Sequence, residues 1–526
     1  MFHKIIILIT LLFCVFTSQA QDSIVYKNPV IKGFYPDPSI CRVGSDYYLV
    51  NSSFEYFPGI PLWHSKDLIN WEQIGNCLTR PSQLPMQHTG ASGGTFAPTI
   101  RYNKGVFYMI TTNAFGWHNF FVYTTDLSKG WSEPVFVDQG GVDPSLFFDD
   151  DGKCYYSGES KAGICLFELD IKTGKKLTAS KVVWTGTGER YPEGPHIYKV
   201  NGWYYLMIAE GGTEYNHMIT ISRSKNIWGP YESNPANPIL SHKWMKTQAN
   251  PIQGTGHGDL VQAEDGSWWI TFLGFRPQQG RYHTLGRETF MAPVEWVDGW
   301  PVVNKTGTVD SKMKIKSHKL FPVSKDSTKE NFNATLLSPN WVFLRNPYAD
   351  DWSLTQRSGW LRLNGSAIAL DSLDSPAFVG RRQQHFEFNA TTAVDFKPKK
   401  SNEEAGITAL ASNQSRYEIA IRREGNHRTV FVRFKLGYIT NLAAKEEIPD
   451  GPVYLRISGK GLYYSFSYSL DNNNFKTIAK ANSRFLSAEV VGGFTGVILG
   501  MYATGNGQKS STLADFDWFE YKPLSE

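Results

Sequence analysis

The chain has 526 residues with 53 Lys and Arg against 49 Asp and Glu, a formal charge of +4. Its aromatic content of 14% excludes a disordered chain, and 47 Gly with 27 Pro exclude a helical bundle. No basic stripe is present, which excludes a nucleic-acid partner, and the length predicts two to four domains of a large β protein.

The first predicted element is an export signal. After a short basic start, an apolar run extends from Ile5 to Phe16, and Ser18 and Ala20 are the small residues that a signal peptidase recognises. The run is too short for a membrane-spanning helix, and no later stretch is long and apolar enough to be one. We predict a signal peptide over 1–20 and a secreted or periplasmic protein without membrane insertion.

One phrase then recurs five times along the chain. Each copy is a short apolar run, a Gly, Asn-Gly or Asp-Gly turn, and an aromatic run, a pattern typical of a β-hairpin. The spacing leaves room for four strands per copy, and four-stranded sheets repeated radially form a propeller. We therefore predict a five-bladed β-propeller over 21–320. The copies begin at Asp37, Ala97, Asp143, Gly194 and His257.

The pattern changes after the propeller. Residues 303–330 are polar and lysine-rich, which predicts a linker or a strap across the propeller. From 331 to 526 the chain alternates strands such as 428–435 and 453–458 with short polar turns, which predicts a β-sandwich. Such a module either binds carbohydrate or buttresses its neighbour, and the sequence leaves both open.

Acidic side chains gather at the aligned first positions of the copies. Asp37, Asp143 and His257 occupy them, and Glu193 directly precedes the fourth copy. Asp-Pro is an ordinary turn former, but packing alone does not gather like charges at one end of a channel. Glycoside hydrolysis needs such a group, because one acid protonates the leaving oxygen while a second acts on water or on the sugar carbon. Crowding raises the pKa of one member so that it keeps its proton.

Eight short motifs follow one another along the chain: Asn28 to Ser39, Ser52 to Gly59, His64 to Leu68, Phe96 to Thr99, Val142 to Ser145, Glu193 to His196, Gly256 to Gly258 and Leu285 to Thr289. Together and in this order they resemble glycoside hydrolase family 43, the inverting β-xylosidases and α-L-arabinofuranosidases. The resemblance covers essentially the whole mature chain. It implies an all-β enzyme in which a propeller is followed by a concanavalin-like jelly roll that walls off the pocket.

The resemblance also implies the catalytic roles. Asp37 would be the general base that activates water, and Glu193 would be the general acid. Asp143 would orient that acid and tune its pKa. An inverting site holds its base and acid roughly 6.5 to 9.5 Å apart, and placement on different blades is compatible with that separation.

Further residues are expected to bind substrate. Arg287 would bind sugar hydroxyls, with Arg276 as a second candidate, and the rings of Phe54 and Phe96 lie in loops beside the blade starts, where they could stack on a sugar. His257 is similar to an axial histidine that in some relatives helps to hold a calcium ion or a water. No cofactor is required by this scheme, and Ca²⁺ is left open.

Three positions differ from those of the well-known xylosidases that the chain resembles. Phe96 stands in place of Trp, and Val142 and Ile498 stand in place of Phe. All three replacements are smaller, which predicts a wider pocket or one suited to arabinofuranose. The segment 494–500 resembles the one that sends a loop toward the active site.

The sequence therefore predicts an exported, exo-acting inverting glycosidase acting on plant hemicellulose oligosaccharides. The first candidate reaction is release of terminal β-1,4-xylosyl units from xylo-oligosaccharides. The alternative is removal of α-L-arabinofuranosyl side chains, or both activities in one site. A non-catalytic glycan-binding propeller is the alternative from another class, although such a protein would be expected to have lost Asp37 or Glu193. The sequence is silent on oligomeric state.

Overall fold

A computed structural model describes residues 23–114, 116, 118–316, 319–323, 327–510 and 512–524. The predicted signal peptide lies outside them. Regular structure in these ranges is nearly all β, which confirms the predicted class. None of the helices within the described ranges is long and apolar enough to cross a membrane. Those helices are the single α-helical turn Ala488–Val491 and the 3-10 turns Leu127–Lys129, Ala349–Asp351 and Ser483–Leu486.

Five antiparallel sheets form the predicted propeller, one for each copy of the repeated phrase. Blade 1 consists of Ser39–Val43, Asp46–Val50, Gly59–Ser65 and Glu72–Leu78; blade 2 of Thr99–Asn103, Val106–Asn113, His118–Thr124 and Val135–Val137; blade 3 of Ser145–Phe148, Cys154–Ser160, Gly163–Glu168 and Lys181–Trp184. Blade 4 consists of Glu193–Val200, Trp203–Glu210, Met218–Ser224, Glu232–Ser233 and the added strand Leu240–Ser241; blade 5 of Gln253–Gln262, Trp268–Phe275, Glu288–Val297 and Trp300–Val303. The first strands of neighbouring blades contact one another, so they line the central channel.

The turns explain why the repeated phrase folds into hairpins. In blade 2, Asn103 pairs with Val106, so the connection is the two residues Lys104 and Gly105. Their φ angles are +48° and +87°. A type I′ turn requires positive φ at both central residues, and its twist matches that of the flanking strands. The Asn201-Gly202 turn of blade 4 has the same form, with φ of +49° and +73°.

The polar segment after the propeller contains a strap. Lys312–Lys316 pairs antiparallel with Ser23–Lys27, so the start of the described chain and the exit of blade 5 form a two-stranded sheet. The side chain of Tyr26 is buried there and donates a hydrogen bond to the carbonyl of Met291 at 2.8 Å. This pairing fastens the first and last blades together.

Two large antiparallel sheets form the predicted sandwich. Aliphatic and aromatic side chains fill the space between the sheets. In spatial order the first sheet is Trp352–Ser353, Leu361–Asn364, Leu513–Pro523, Phe388–Asp395, Val453–Lys460, Tyr463–Ser469 and Lys476–Asn482, with Lys329–Glu330 paired to Leu513–Pro523. The second is Ile439–Ile448, His427–Leu436, Ser415–Glu424, Glu404–Ser412, Ile498–Thr504, Ala377–Arg382, Trp341–Leu344 and Tyr56–Phe57.

The last strand of the second sheet comes from the propeller. Tyr56–Phe57 pairs with Trp341–Leu344, so one sheet crosses the domain boundary. Around it lies a buried apolar cluster that includes Phe34 and Phe54 of the propeller and Ile498 of the sandwich. A fully buried Phe or Ile side chain contributes roughly 1.5 to 3 kcal/mol, so this cluster holds the sandwich against the active-site end of the channel.

Candidate active site

Four of the five blade starts share an unusual backbone conformation, and Ala97 is the exception. Asp37, Asp143 and His257 have φ of +53°, +55° and +44°, and Gly194, at the aligned position of blade 4, has φ of +58°. Positive φ is uncommon for residues other than Gly and costs on the order of 1–3 kcal/mol, and it recurs at functional sites. Here it turns the chain at the mouth of the channel, and the three side chains line one cavity.

Gly194 explains why the acid of blade 4 lies one residue earlier. A Cβ atom at position 194 would be 2.8 Å from Cε1 of the His257 ring, closer than real Cβ contacts allow. The aligned position therefore has no room for a side chain. Glu193, which begins the first strand of blade 4, supplies the carboxyl group instead.

The cavity has a volume of about 90 Å³ and is built by both domains. Its aromatic wall consists of Phe54 and Phe96 from the propeller and Phe494 from the sandwich. The ring centre of Phe54 lies 5.4 Å from that of Phe96 and 5.7 Å from that of Phe494. The full lining is Asp37, Phe54, Phe96, Ala97, Val142, Asp143, Glu193, Thr213, His257, Arg287 and Phe494.

Asp37 is held by two donors. Its Oδ2 accepts a hydrogen bond from Ser52 Oγ at 2.5 Å, and its Oδ1 accepts one from Arg287 Nη1 at 2.9 Å. The same Nη1 donates to Thr213 Oγ1 at 2.8 Å. These bonds fix the orientation of a buried carboxylate and balance its charge, as a general base aimed at one water requires.

The other two carboxyl groups have raised pKa values. Burial, and then the charge of Asp37, raise the pKa of Glu193 to about 7, although Arg287 opposes the shift. Burial and the charge of Glu193 raise the pKa of Asp143 well above its usual range. Two such groups titrate as a pair, so one proton stays on them near neutral pH. The site thus combines a carboxyl group that can donate a proton near neutral pH with Asp37, which Arg287 holds.

His257 lies at the floor of this cavity. Its Nδ1 is 3.8 Å from Asp143 Oδ2, and burial lowers the pKa of His257, which keeps the ring neutral. Elsewhere among the first strands, Arg101 donates to Asp259 Oδ2 at 2.7 Å and lies 2.9 Å from His196 Nδ1. Within the described ranges no three His, Cys, Asp or Glu side chains are placed together to hold a metal ion, and a calcium ion near His257 stays a prediction.

Two sequence-predicted residues lie elsewhere. Arg276 forms a fork with the buried carboxylate of Glu288, with Nε 2.6 Å from Oε2 and Nη2 2.9 Å from Oε1, and it is not among the residues that line the cavity. Ile498 was expected to shape the pocket, and this is wrong. Its side chain is buried in the interdomain cluster, while Phe494 at the start of the same segment lines the cavity.

Sequence reasoning missed the supporting polar residues. Ser52 and Thr213 hold Asp37 and Arg287. Both lie just after the second strand of a blade and therefore outside the repeated phrase. The only signal near Thr213 is the preceding Gly211-Gly212 pair, whose φ angles of +91° and +75° form the tight turn that presents it.

Comparison with known families gives two matches that together span most of the chain. The family described as glycosyl hydrolases family 43 matches residues 26–301. The family described as the β-xylosidase C-terminal concanavalin A-like domain matches residues 329–522. The boundary between them falls in the polar segment that contains the strap.

Relatives and a solved structure match over nearly the full length. A non-reducing end α-L-arabinofuranosidase from Bacteroides ovatus is 44% identical over 506 residues, which cover 95% of each chain. A xylosidase/arabinosidase from Butyrivibrio fibrisolvens is 38% identical over 94% of this chain and 99% of its own. The solved structure of a Bacteroides ovatus family 43 protein from a xyloglucan locus superposes with a TM-score of 0.92 at 44% identity, covering 95% of this chain and all of that one.

Proposed function

The chain belongs to glycoside hydrolase family 43 and is a glycosidase, and we propose that it removes single α-L-arabinofuranosyl units from the non-reducing ends of hemicellulose oligosaccharides. The observation that carries the exo-acting part is the position of Phe494. This side chain, from the second domain, lines the cavity together with the three carboxyl groups, which favours a pocket for one terminal sugar over an open cleft. We also propose that the enzyme acts outside the cytoplasm, on the strength of the signal sequence at 1–20.

Two observations favour arabinofuranose as the terminal sugar. The Bacteroides ovatus relative that is 44% identical is named for this activity. The cavity is also lined by Phe96 and Val142, the two smaller replacements that predict a pocket different from that of the well-known xylosidases. This order reverses the one given by the sequence alone, in which xylosyl release came first.

The geometry supports a single-step inverting reaction. Glu193 donates its proton to the glycosidic oxygen as the bond from the anomeric carbon to that oxygen breaks. Asp37, from a different blade, takes a proton from the water that attacks the same carbon on the opposite face. The products are the free sugar with inverted configuration and the shortened oligosaccharide. Burial and the charge of Asp37 keep the pKa of the acid high, Asp143 orients the acid, and Arg287 holds Asp37.

Release of β-xylosyl units is the second candidate. The Butyrivibrio fibrisolvens relative is named for both activities. The same three carboxyl groups serve either sugar, because the mechanism makes no demand on ring size. The difference lies in the fit of the sugar against Phe54, Phe96 and Phe494.

The test compares para-nitrophenyl α-L-arabinofuranoside with para-nitrophenyl β-D-xylopyranoside. We expect a higher kcat/KM on the arabinoside, and proton NMR of the fresh product is expected to show inversion. Asp37→Asn is the blank, because a good leaving group needs little protonation but still needs an activated water. A preference for the xyloside would favour the second candidate. Internal cleavage of long xylan as the main activity would contradict the exo-acting proposal, and absence of hydrolysis would support the glycan-binding alternative.

A further inference from the structure

Two large aromatic side chains are exposed at the end of the propeller where the channel opens onto the active site. Tyr191 is 63% exposed and Trp244 is 71% exposed. Tyr191 lies in the segment 185–192 that leads into blade 4, and Trp244 lies in the segment 242–252 that leads into blade 5. Exposed aromatic groups beside a binding cavity often mark a contact surface for a ligand.

The backbone at Tyr191 is held in a strained conformation. Its φ is +55°, which is uncommon for a bulky residue and costs on the order of 1–3 kcal/mol. Arg190 fixes the turn, because its Nε donates to the carbonyl of Gly211 at 2.9 Å, its own carbonyl accepts from Gly211 N at 2.8 Å, and its Nη2 pairs with Glu214 at 3.0 Å. The neighbouring Gly212 leaves room for the ring, since a Cβ there would lie 3.2 Å from Cδ2 of Tyr191.

An ion pair joins the two aromatic segments. Lys243 Nζ lies 2.9 Å from Glu189 Oε1 and 4.7 Å from the centre of the Trp244 ring. Glu189 stands two residues before Tyr191. The two aromatic side chains therefore sit on segments that are fastened to each other as well as to blade 4.

The position of Glu193 indicates which part of the substrate lies over the segment 185–192. Glu193 is two residues after Tyr191 and protonates the oxygen of the leaving group. A second cavity, lined by Tyr215, Phe275 and Glu489 among others, adjoins the catalytic cavity through Arg287 and its neighbours but does not include the acid. That cavity includes neither Asp37 nor Glu193, and its Glu214 pairs with Arg190 beside Tyr191, so the leaving chain is expected over the segment 185–192 that precedes the acid.

We propose that Tyr191 and Trp244 form a platform that binds the leaving-group oligosaccharide, with Tyr191 stacked on the sugar next to the scissile bond. The ligand is a neutral glycan chain, because a sugar ring offers an apolar face to an aromatic ring. The inference rests on the proposed function and extends it to the oligosaccharide that remains after the terminal sugar has been removed.

The test compares two substrates that share the cleaved sugar. One is an arabinofuranosylated xylotriose, which fills the platform, and the other is α-L-arabinofuranosyl fluoride, whose leaving group cannot reach it. Tyr191→Asn removes the ring but tolerates positive φ, and Tyr191→Phe keeps the ring as a matched control. We expect kcat/KM of Tyr191→Asn to fall about tenfold on the oligosaccharide and to change less than about twofold on the fluoride, with Tyr191→Phe near wild type on both.

The outcomes separate this inference from the proposed function. Equal losses on both substrates would assign Tyr191 a structural role, and no loss on the oligosaccharide would remove it from the binding surface. Either result overturns the inference. The proposed function would still be upheld by the activity of the wild type. A wild-type enzyme that cleaves neither substrate, nor their xylosyl counterparts, would overturn both. Trp244→Ala is expected to lower kcat/KM on the oligosaccharide alone, and an unchanged value would exclude Trp244 from the platform.

Discussion

Arg287 and Asp37 form a buried ion pair in which Nη1 donates to Oδ1 at 2.9 Å. The guanidinium is also placed 5.7 Å from the ring centre of Phe54 and 5.5 Å from that of Phe494. The Arg287 side chain thus contacts Asp37, the Phe54 ring of the propeller and the Phe494 ring of the second domain. The position of the base is therefore coupled to the docking of the sandwich.

This coupling predicts a large effect of Arg287→Met on catalysis. Truncating one partner of a buried, hydrogen-bonded charge pair costs about 2–5 kcal/mol. We expect kcat/KM to fall about thirtyfold or more, mainly through kcat. The matched control is Thr213→Val, which removes only the bond from Nη1 to Oγ1 and should cost about tenfold or less. Equal losses in the two variants, measured by steady-state kinetics, would contradict the assigned role of the ion pair.

The pH dependence of the reaction follows from the shared proton. Because the pKa of Glu193 is raised to about 7, kcat/KM should decline as the pH rises through that value and the acid loses its proton. The charge of Asp37 is one cause of this raised pKa, so in Asp37→Asn the pKa of Glu193 should fall by about one unit. Titration of the Glu193 carboxyl group by ¹³C NMR in the wild type and in the variant measures the shift. An unmoved pKa would show that Asp37 does not act on the acid.

The repeated phrase was sufficient to predict the blades and the carboxyl groups, because both depend on local turns that recur with the repeat. Asp37 and Asp143 stand at aligned positions, and the Gly at 194 is what shifts the third acid to Glu193. The pairing of Tyr56–Phe57 with the sandwich could not be predicted. A two-residue strand has no periodicity, and its partner lies almost 300 residues away.

The side chain of Phe494, which lines the cavity, is the subject of a third prediction. Phe494 follows the helical turn Ala488–Val491, which is anchored by Glu489 to His283 of the propeller at 2.6 Å. Phe494→Ala should leave the cavity open to water and raise KM, lowering kcat/KM about tenfold to a hundredfold. Val490→Ala is the matched control, since Val490 is exposed on the same turn and does not line the cavity. Unchanged kinetics in Phe494→Ala would exclude the ring from the sugar site.

A buried ion pair in the channel below the site is expected to contribute to stability. Asp259 is fully buried and accepts hydrogen bonds from Ser39 at 2.6 Å, from Tyr198 at 2.6 Å and from Arg101 at 2.7 Å, so it ties together the first strands of blades 1, 2, 4 and 5. Asp259→Asn leaves the Arg101 charge buried without its counter-ion, and the free energy of unfolding should fall by about 3–5 kcal/mol. Urea unfolding measures this loss.

The same group sets a pH dependence of stability. Burial alone would raise the pKa of Asp259, but Arg101 and the hydrogen bonds hold it below its usual range. A depressed pKa in the folded state stabilises the protein above the ordinary Asp pKa of about 3.9, and this contribution is lost as the pH falls below that value. The variant should therefore lose less stability than the wild type as the pH falls from about 5 to about 3. Asp150→Asn, which breaks only an exposed pair with Lys199, should behave as the wild type does. Parallel acid unfolding of wild type and Asp259→Asn would show that the channel ion pair does not govern acid stability.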